Sequence, residues 1–307
     1  MRMLAFPGKA TTVLFFGLLS FPLCLESQRA PSDKGGTHFD HVVMVVIEHQ
    51  GASQALSDAN IASVVKQAAW FSNYHAVSHP SLPNSLALVG GSTYGVTRDH
   101  VDTSIKRPSI INRLEQKGLT WKVYAEDYAG HCLKADAGNS VMPKASGAAL
   151  STMRRVPFLS YATVQNSPMR CGRVVNAREF IADARAGKLP NYSFYSPNIV
   201  TSGPRTSVEG SALWLKQFVG SLQGTGAMDQ RTLLMIVWDE GSGPETRSNR
   251  VLAMLLGPMV TQGRYSARLT HYSLLRTIED NFGLLPVADG DARASPVPEE
   301  VWRASAP

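Results

Sequence analysis

The 307-residue sequence is poor in cysteine and in charge. It holds three cysteines, Cys24, Cys132 and Cys171, too few for a disulfide-framed scaffold. No CxxC pair and no HExxH run is present, which excludes the zinc sites built on those spacings. A GxSxG run is also missing, so the strained serine elbow of lipase-like hydrolases is excluded. Charged residues make up only 18%, and the net charge of +6 comes from 30 basic and 24 acidic residues with no dense basic run. That pattern excludes a nucleic-acid-binding tail and reads as a solvated surface with a mild preference for anionic partners. There is no internal repeat, and no breaker-rich linker divides the chain.

What is there begins at the N-terminus. Arg2 and Lys9 precede an apolar stretch from Ala10 to Leu25, closed by the small residue Ser27. Residues 1–27 therefore read as a secretory signal, too short in its apolar part to span a bilayer comfortably. No other run is long and apolar enough for a membrane span. The expected location is secreted or periplasmic. Residues 28–37 (QRAPSDKGGT) are polar and breaker-rich and read as a flexible lead-in, leaving 38–307 as one domain. With Cys24 removed, Cys132 and Cys171 are left as the expected disulfide of an exported protein.

Continuous apolar runs alternate with helical spacing along that domain. Val42–Ile47, Leu119–Ala125, Tyr192–Ser196, Leu233–Trp238 and Val251–Leu256 read as strands buried on both faces. Helices are expected over Ile61–Trp70, from Ser81 through Leu88 with Gly90 and Gly91 ending it, and over Pro108–Gly118. Others are expected over Ala177–Ala186, Val208–Leu222 and His271–Phe282. Residues 129–172 read as irregular. The alternation predicts an α/β fold, a mostly parallel sheet with helices on both faces.

In such sheets the site lies beyond the carboxyl ends of the strands. The runs end on Glu48-His49-Gln50, on Glu126-Asp127 and on Asp239-Glu240. Between the first two, Ser81 opens a helix, where free N–H groups and the helix dipole favour an anion. Taken alone, Ser81 reads more readily as a helix N-cap than as a nucleophile. Each acidic residue taken alone reads equally as an ordinary loop residue.

Together these segments resemble a known group. Val45–Glu48, His79–Asn84 (HPSLPN), Tyr124–Asp127, Leu189–Asn198 (LPNYSFYSPN), Val237–Glu240 and Thr270–Glu279 are similar, in order and spacing, to the bacterial phosphoesterases of acid phosphatase and phospholipase C type. Those belong to the alkaline phosphatase superfamily, and the pattern most resembles its short secreted acid phosphatases, some of which act on phosphoinositides. The resemblance implies an alkaline-phosphatase-like domain and a divalent metal ion. It implies Ser81 as the nucleophile that forms a phosphoserine and Asn84 as the amide holding a phosphate oxygen. Glu48 and Asp239 match acidic metal ligands, with Glu240 beside them. His49 stands where the family has Asn, and His271 matches the histidine that opens the last helix. A metal bound to a serine hydroxyl lowers its pKa and shields the phosphate charge.

Two departures follow. After Asn198 the family's Asn-Asp-x-His is replaced by Thr201, Ser202, Gly203 and Pro204, and its Lys-His-x-Pro by Arg154-Arg155-Val156-Pro157. One metal site, with Arg154 or Arg155 clamping phosphate, is therefore expected rather than two. The expected partner is a phosphorylated small molecule or a phospholipid head group. Phosphodiester cleavage of the phospholipase C kind, and phosphate binding without turnover, remain open beside monoester hydrolysis.

Overall fold

The computed structural model describes residues 35–48, 50–99, 105–130, 155–198, 208–229 and 231–303. His49, Cys132, Arg154, the signal and the departure at 201–204 lie outside the described residues. Ten strands are formed among those described: β1 His41–Ile47, β2 Ala69–Phe71, β3 Tyr74–His75, β4 Trp121–Ala125, β5 Val174–Asn176, β6 Tyr192–Ser196, β7 Thr232–Trp238, β8 Ala253–Leu256, β9 Gly263–Tyr265 and β10 Leu269–Thr270. Eight of them make one sheet in the order β5-β4-β6-β1-β7-β8-β2-β9. β5, β4, β6, β1 and β7 run parallel to one another, β8 runs against both β7 and β2, and β9 is parallel to β2.

Burial explains why the apolar runs are unbroken. Every residue from Val42 to Ile47, and every residue of β6 and β7, is buried, which a strand reaches only when both faces of its sheet are covered. The helices Ala59–Val65 and Val208–Gln223 pack on each other, and the helices Ser81–Gly90 and His271–Phe282 form a second packed pair. Phe158, inside the 3-10 turn Pro157–Ser160, packs against Trp121 of β4 and Phe194 of β6 with ring centroids 6.2 and 5.4 Å apart. Each such fully buried side chain contributes about 1.5–3 kcal/mol.

The helix Ser81–Gly90 is buried at every residue. It ends because Gly91 adopts φ +65°, and its N–H returns to Ala87 O at 3.1 Å, a left-handed cap that glycine tolerates without steric cost. A Cβ there would also lie 1.9 Å from Asp291 Oδ1. Two expectations need correction. Residues 129–172 read as irregular, but those described among them form the 3-10 turn Pro157–Ser160 and the short helices Ala162–Gln165 and Pro168–Cys171. Helical spacing was read through Trp70, but the helix stops at Val65 and Trp70 lies in β2. Pairing of Ala69–Phe71 with β8 and β9 overrides the local pattern. The small pair β3–β10 is parallel and sets Tyr74 beside the start of the helix His271–Phe282. No helix among the described residues is long and apolar enough to cross a membrane.

Candidate active site

Strand register brings the acidic ends together. β1 and β7 pair with Ile47 opposite Trp238, and the ladder continues one step further as Asp239 N–H donates to Ile47 O at 2.8 Å. Glu48 and Asp239 are thus neighbours at the carboxyl edge of the sheet. Asp239 is fully buried and Glu240 nearly so. Asp239 Oδ1 accepts from the Glu240 N–H at 2.7 Å, which fixes the turn that carries Glu240 off the strand.

Ser81 meets this edge from the other side. The residue before the helix is Pro80, joined to His79 by a cis peptide bond, and Ser81 is the first helical residue. Its hydroxyl makes no capping bond. It donates across the site to Glu240 Oε1 at 3.2 Å. The second oxygen, Glu240 Oε2, lies 2.5 Å from His79 Nδ1, while His79 Nε2 faces Thr246 O at 3.0 Å. The cap is supplied instead by Asp99, whose Oδ1 accepts from Leu82 N–H at 2.9 Å. A carboxylate there suits the positive end of the helix.

Two of the residues carried over from the resemblance are engaged elsewhere. Asn84 Oδ1 accepts from the N–H groups of Val77 and Ser78 at 3.0 and 2.9 Å, and its Nδ2 donates to Ser78 O and Pro80 O at 2.7 and 3.0 Å. Those four bonds exhaust an amide, so Asn84 braces the loop before Ser81 and has no donor left for a phosphate oxygen. The preceding loop carries backbone groups that burial would otherwise leave unsatisfied. His271 is also fully occupied: Nε2–H donates to Asp239 O at 2.7 Å, and Nδ1 accepts from Tyr74 O–H at 3.0 Å. Burial pushes its pKa down to about 4, against the hydrogen bond to Asp239 O. A neutral imidazole with both nitrogens bonded to protein does not ligate a metal. Its work here is to hold the backbone that presents Asp239.

Arg155 is buried, not a surface cation. Its Nη1 donates to Pro197 O and, at 3.4 Å, to Ser196 Oγ, and its Nε lies 4.0 Å from Glu48 Oε1. The guanidinium therefore sits between the ends of β6 and β1. At the end of β4, Glu126 accepts from Tyr195 O–H at 3.0 Å, Asn198 N–H at 2.9 Å and Trp214 Nε1–H at 3.2 Å. It reads as a clamp on the chain leaving β6.

Among the described residues, no group of three or more His, Cys, Asp or Glu is drawn close enough to hold a metal ion. The donor chemistry nonetheless fits a hard cation. Glu48 at the end of β1, and Asp239 and Glu240 at the end of β7, are hard oxygen donors of the kind a divalent cation takes, and Glu240 faces the Ser81 hydroxyl. His79 and Asp99 had no assigned role in the sequence. His79 belongs to the HPSLPN segment and Asp99 follows it, but neither shows its partner in the sequence, since His79 and Glu240 are 161 residues apart.

The comparisons with known proteins agree with this architecture. The chain is 29% identical over 279 residues to a probable acid phosphatase of Kluyveromyces lactis, covering 87% of this chain and 64% of that one. It is 26% identical over 272 residues to a phosphatidylinositol-3-phosphatase of Mycobacterium tuberculosis, covering 86% and 83%. It thus spans a little under two thirds of the length of the yeast relative. Among solved structures, an alkaline phosphatase superfamily protein from Vibrio parahaemolyticus superposes with a TM-score of 0.58 at 10% identity, over 85% of this chain and 72% of that one, which establishes likeness of fold. The Phosphoesterase family model matches residues 54–285, and the chain belongs to that family.

Proposed function

We propose that this protein is an exported, metal-dependent phosphoesterase that hydrolyses phosphate monoesters, phosphoinositides among them, through a phosphoserine on Ser81. The observation that carries this reading is the Ser81 hydroxyl. It sits at a helix start but donates to Glu240 Oε1 rather than capping the helix, which leaves capping to Asp99 and favours the nucleophile over the structural alternative.

In this reading Ser81 Oγ attacks the phosphorus as the leaving alkoxide departs. The serine proton passes to Glu240 Oε1, the atom it already faces, and His79 on Oε2 steadies the carboxylate. Water then cleaves the phosphoserine, releasing inorganic phosphate and restoring the hydroxyl. A divalent ion, when bound, would supply charge shielding and lower the serine pKa, held by Glu48, Asp239 and Ser81. Arg155 sits within reach of that cluster, near Glu48, and is proposed to offset phosphate charge. The yeast and mycobacterial relatives, described as a probable acid phosphatase and a phosphatidylinositol-3-phosphatase, support monoester over diester chemistry. We extend the proposal to a cleaved signal at residues 1–27 and a Cys132–Cys171 disulfide; that Cys171 is disulfide-bonded supports the pairing.

A panel of p-nitrophenyl phosphate, bis(p-nitrophenyl) phosphate and phosphatidylinositol 3-phosphate, run on the mature protein with and without chelator, tests this directly. Monoester turnover abolished by chelation and restored by a divalent ion is expected. Undiminished turnover after exhaustive chelation would remove the metal from the mechanism, and exclusive diester cleavage would move the protein to the phospholipase C type.

A further inference from the structure

The nucleophile and the carboxylate it faces adjoin two loops far apart in sequence, 77–80 directly before Ser81 and 241–250 directly after Glu240. A 3.2 Å contact between Ser81 and Glu240 requires that something hold these loops in register. Backbone bonding between them is sparse: Ala76 N–H donates to Asn249 O at 2.9 Å. Among side chains, His79 reaches Glu240 Oε2 through Nδ1 and Thr246 O through Nε2, and a second link is made by Asn249. Its Oδ1 accepts from Gly241 N–H at 2.7 Å, and its Nδ2 donates to Ser78 O at 2.7 Å. One amide thereby ties the residue directly after Glu240 to the residue three before Ser81.

The surroundings are built for this bridge. Asn249 has φ +51°, a left-handed conformation that asparagine adopts more readily than most residues. Its own N–H is anchored on Glu245 O at 2.7 Å. Glu245 Oε1 in turn accepts from Ser53 N–H at 3.0 Å and Arg250 Nη2 at 2.9 Å, so the far side of the loop is fixed to the helix Ala52–Ser57. Gly241 is required by the close approach: a Cβ there would meet Glu245 O at 2.9 Å and Asn249 Cα at 3.2 Å. Ser78 O is the meeting point of two amides, since Asn84 Nδ2 also donates to it at 2.7 Å. The connection runs from the Ser81 helix through Asn84 to Ser78 O, and from there through Asn249 to Gly241 N–H and Glu240.

We propose that Asn249 is a positioning residue that sets the separation of Ser81 from Glu240 by bridging Ser78 O and Gly241 N–H. This rests on the reading of Ser81 as nucleophile. Asn249 touches neither phosphate nor metal, and acts only through the two loops. Displacing reacting groups by about 1 Å costs on the order of a hundredfold in rate, so the bridge acts on kcat more than on substrate binding.

Two variants test it. Asn249→Gly keeps the left-handed backbone and removes both side-chain bonds. Asn249→Asp keeps an acceptor for Gly241 N–H but sets an oxygen against Ser78 O. For each, kcat and KM on p-nitrophenyl phosphate, the rate of Ser81 labelling from a phosphoryl-labelled substrate, and the melting temperature are measured. The expected result is a fall in kcat and in labelling rate of about tenfold or more in both variants, with KM within about threefold and a cooperative melt retained. Wild-type kcat in a folded Asn249→Gly overturns the proposal, because the residue then serves only its backbone conformation. Loss of the fold in both variants overturns it too, making the amide a folding requirement. Absence of label on Ser81 in the wild-type protein defeats the underlying reading and the bridge with it, whereas normal wild-type labelling with unaffected variants defeats the bridge alone.

Discussion

At the scale of single residues, Ser81 and Asp99 divide two jobs that a serine at a helix start often combines. Asp99 caps the helix through Leu82 N–H, and Ser81 turns its hydroxyl to Glu240. Asp99→Ala should therefore lower unfolding stability by about 1 kcal/mol, while Ser81→Ala should cost less and abolish turnover. Urea unfolding of the two variants checks the division; a larger loss from Ser81→Ala would return the capping role to the serine. Tyr74→Phe removes the donor to His271 Nδ1 and should cost about 1–2 kcal/mol by leaving a buried acceptor unsatisfied. The positions of Glu48 and Asp239 at strand ends and of Ser81 at a helix start could be read in the sequence, while the roles proposed for them came from the family resemblance. Asn84 was misread for a physical reason. Its spacing from Ser81 puts it on the same helical face, but an asparagine near a helix start competes for local backbone groups, and here it binds the loop 77–80 with all four of its bonds.

At the scale of elements, the C-terminal part carries a buried acid pair that the sequence did not disclose. Glu279, in the helix His271–Phe282, and Asp291, in the short helix Asp289–Ala292, both accept from Val287 N–H, at 3.1 and 2.6 Å. Burial first, and then the hydrogen bond and charge of Asp291, push the Glu279 carboxyl up to about 9. The unfolded chain releases that proton near the ordinary value of 4.5, so the folded state holds one proton more between about 4.5 and 9. The pair's contribution is thus fully present at acid pH and declines as pH rises through that window. Melting temperature followed from pH 5 to 9 should fall more steeply in the wild type than in Glu279→Gln, and equal slopes would remove this role. Elements themselves were legible in proportion to length. β1, β6 and β7 announce themselves as continuous apolar runs, and the helix His271–Phe282 was read to the residue. β2, β3, β5, β9 and β10 have two or three residues each, too few to carry a period, and are fixed by tertiary pairing rather than by local pattern.

At the scale of the whole molecule, a parallel sheet delivers its acidic residues to one edge and a buried helix delivers Ser81 to meet them. The α/β class and the mostly parallel sheet could be read from the alternation of buried runs and helical spacing, because a sheet covered on both faces leaves strands no polar side. The loops around the site could not be, since contacts such as His79 with Glu240 and Asn249 with Ser78 join positions more than 150 residues apart. The proposed Cys132–Cys171 bridge would close a long loop, of which residues 155–171 are described. Reduction should destabilise the protein by about 2–4 kcal/mol, read as a lower melting temperature, and two alkylatable thiols in the native exported protein would contradict it.

The central claim is that Ser81 becomes phosphorylated during turnover. Mature protein is mixed with a substrate labelled at the phosphoryl group, quenched in acid within the first turnover and digested. The account predicts label on the peptide that contains Ser81, and none after Ser81→Ala. Label on a different residue, or an Ser81→Ala variant that keeps wild-type turnover, would contradict it.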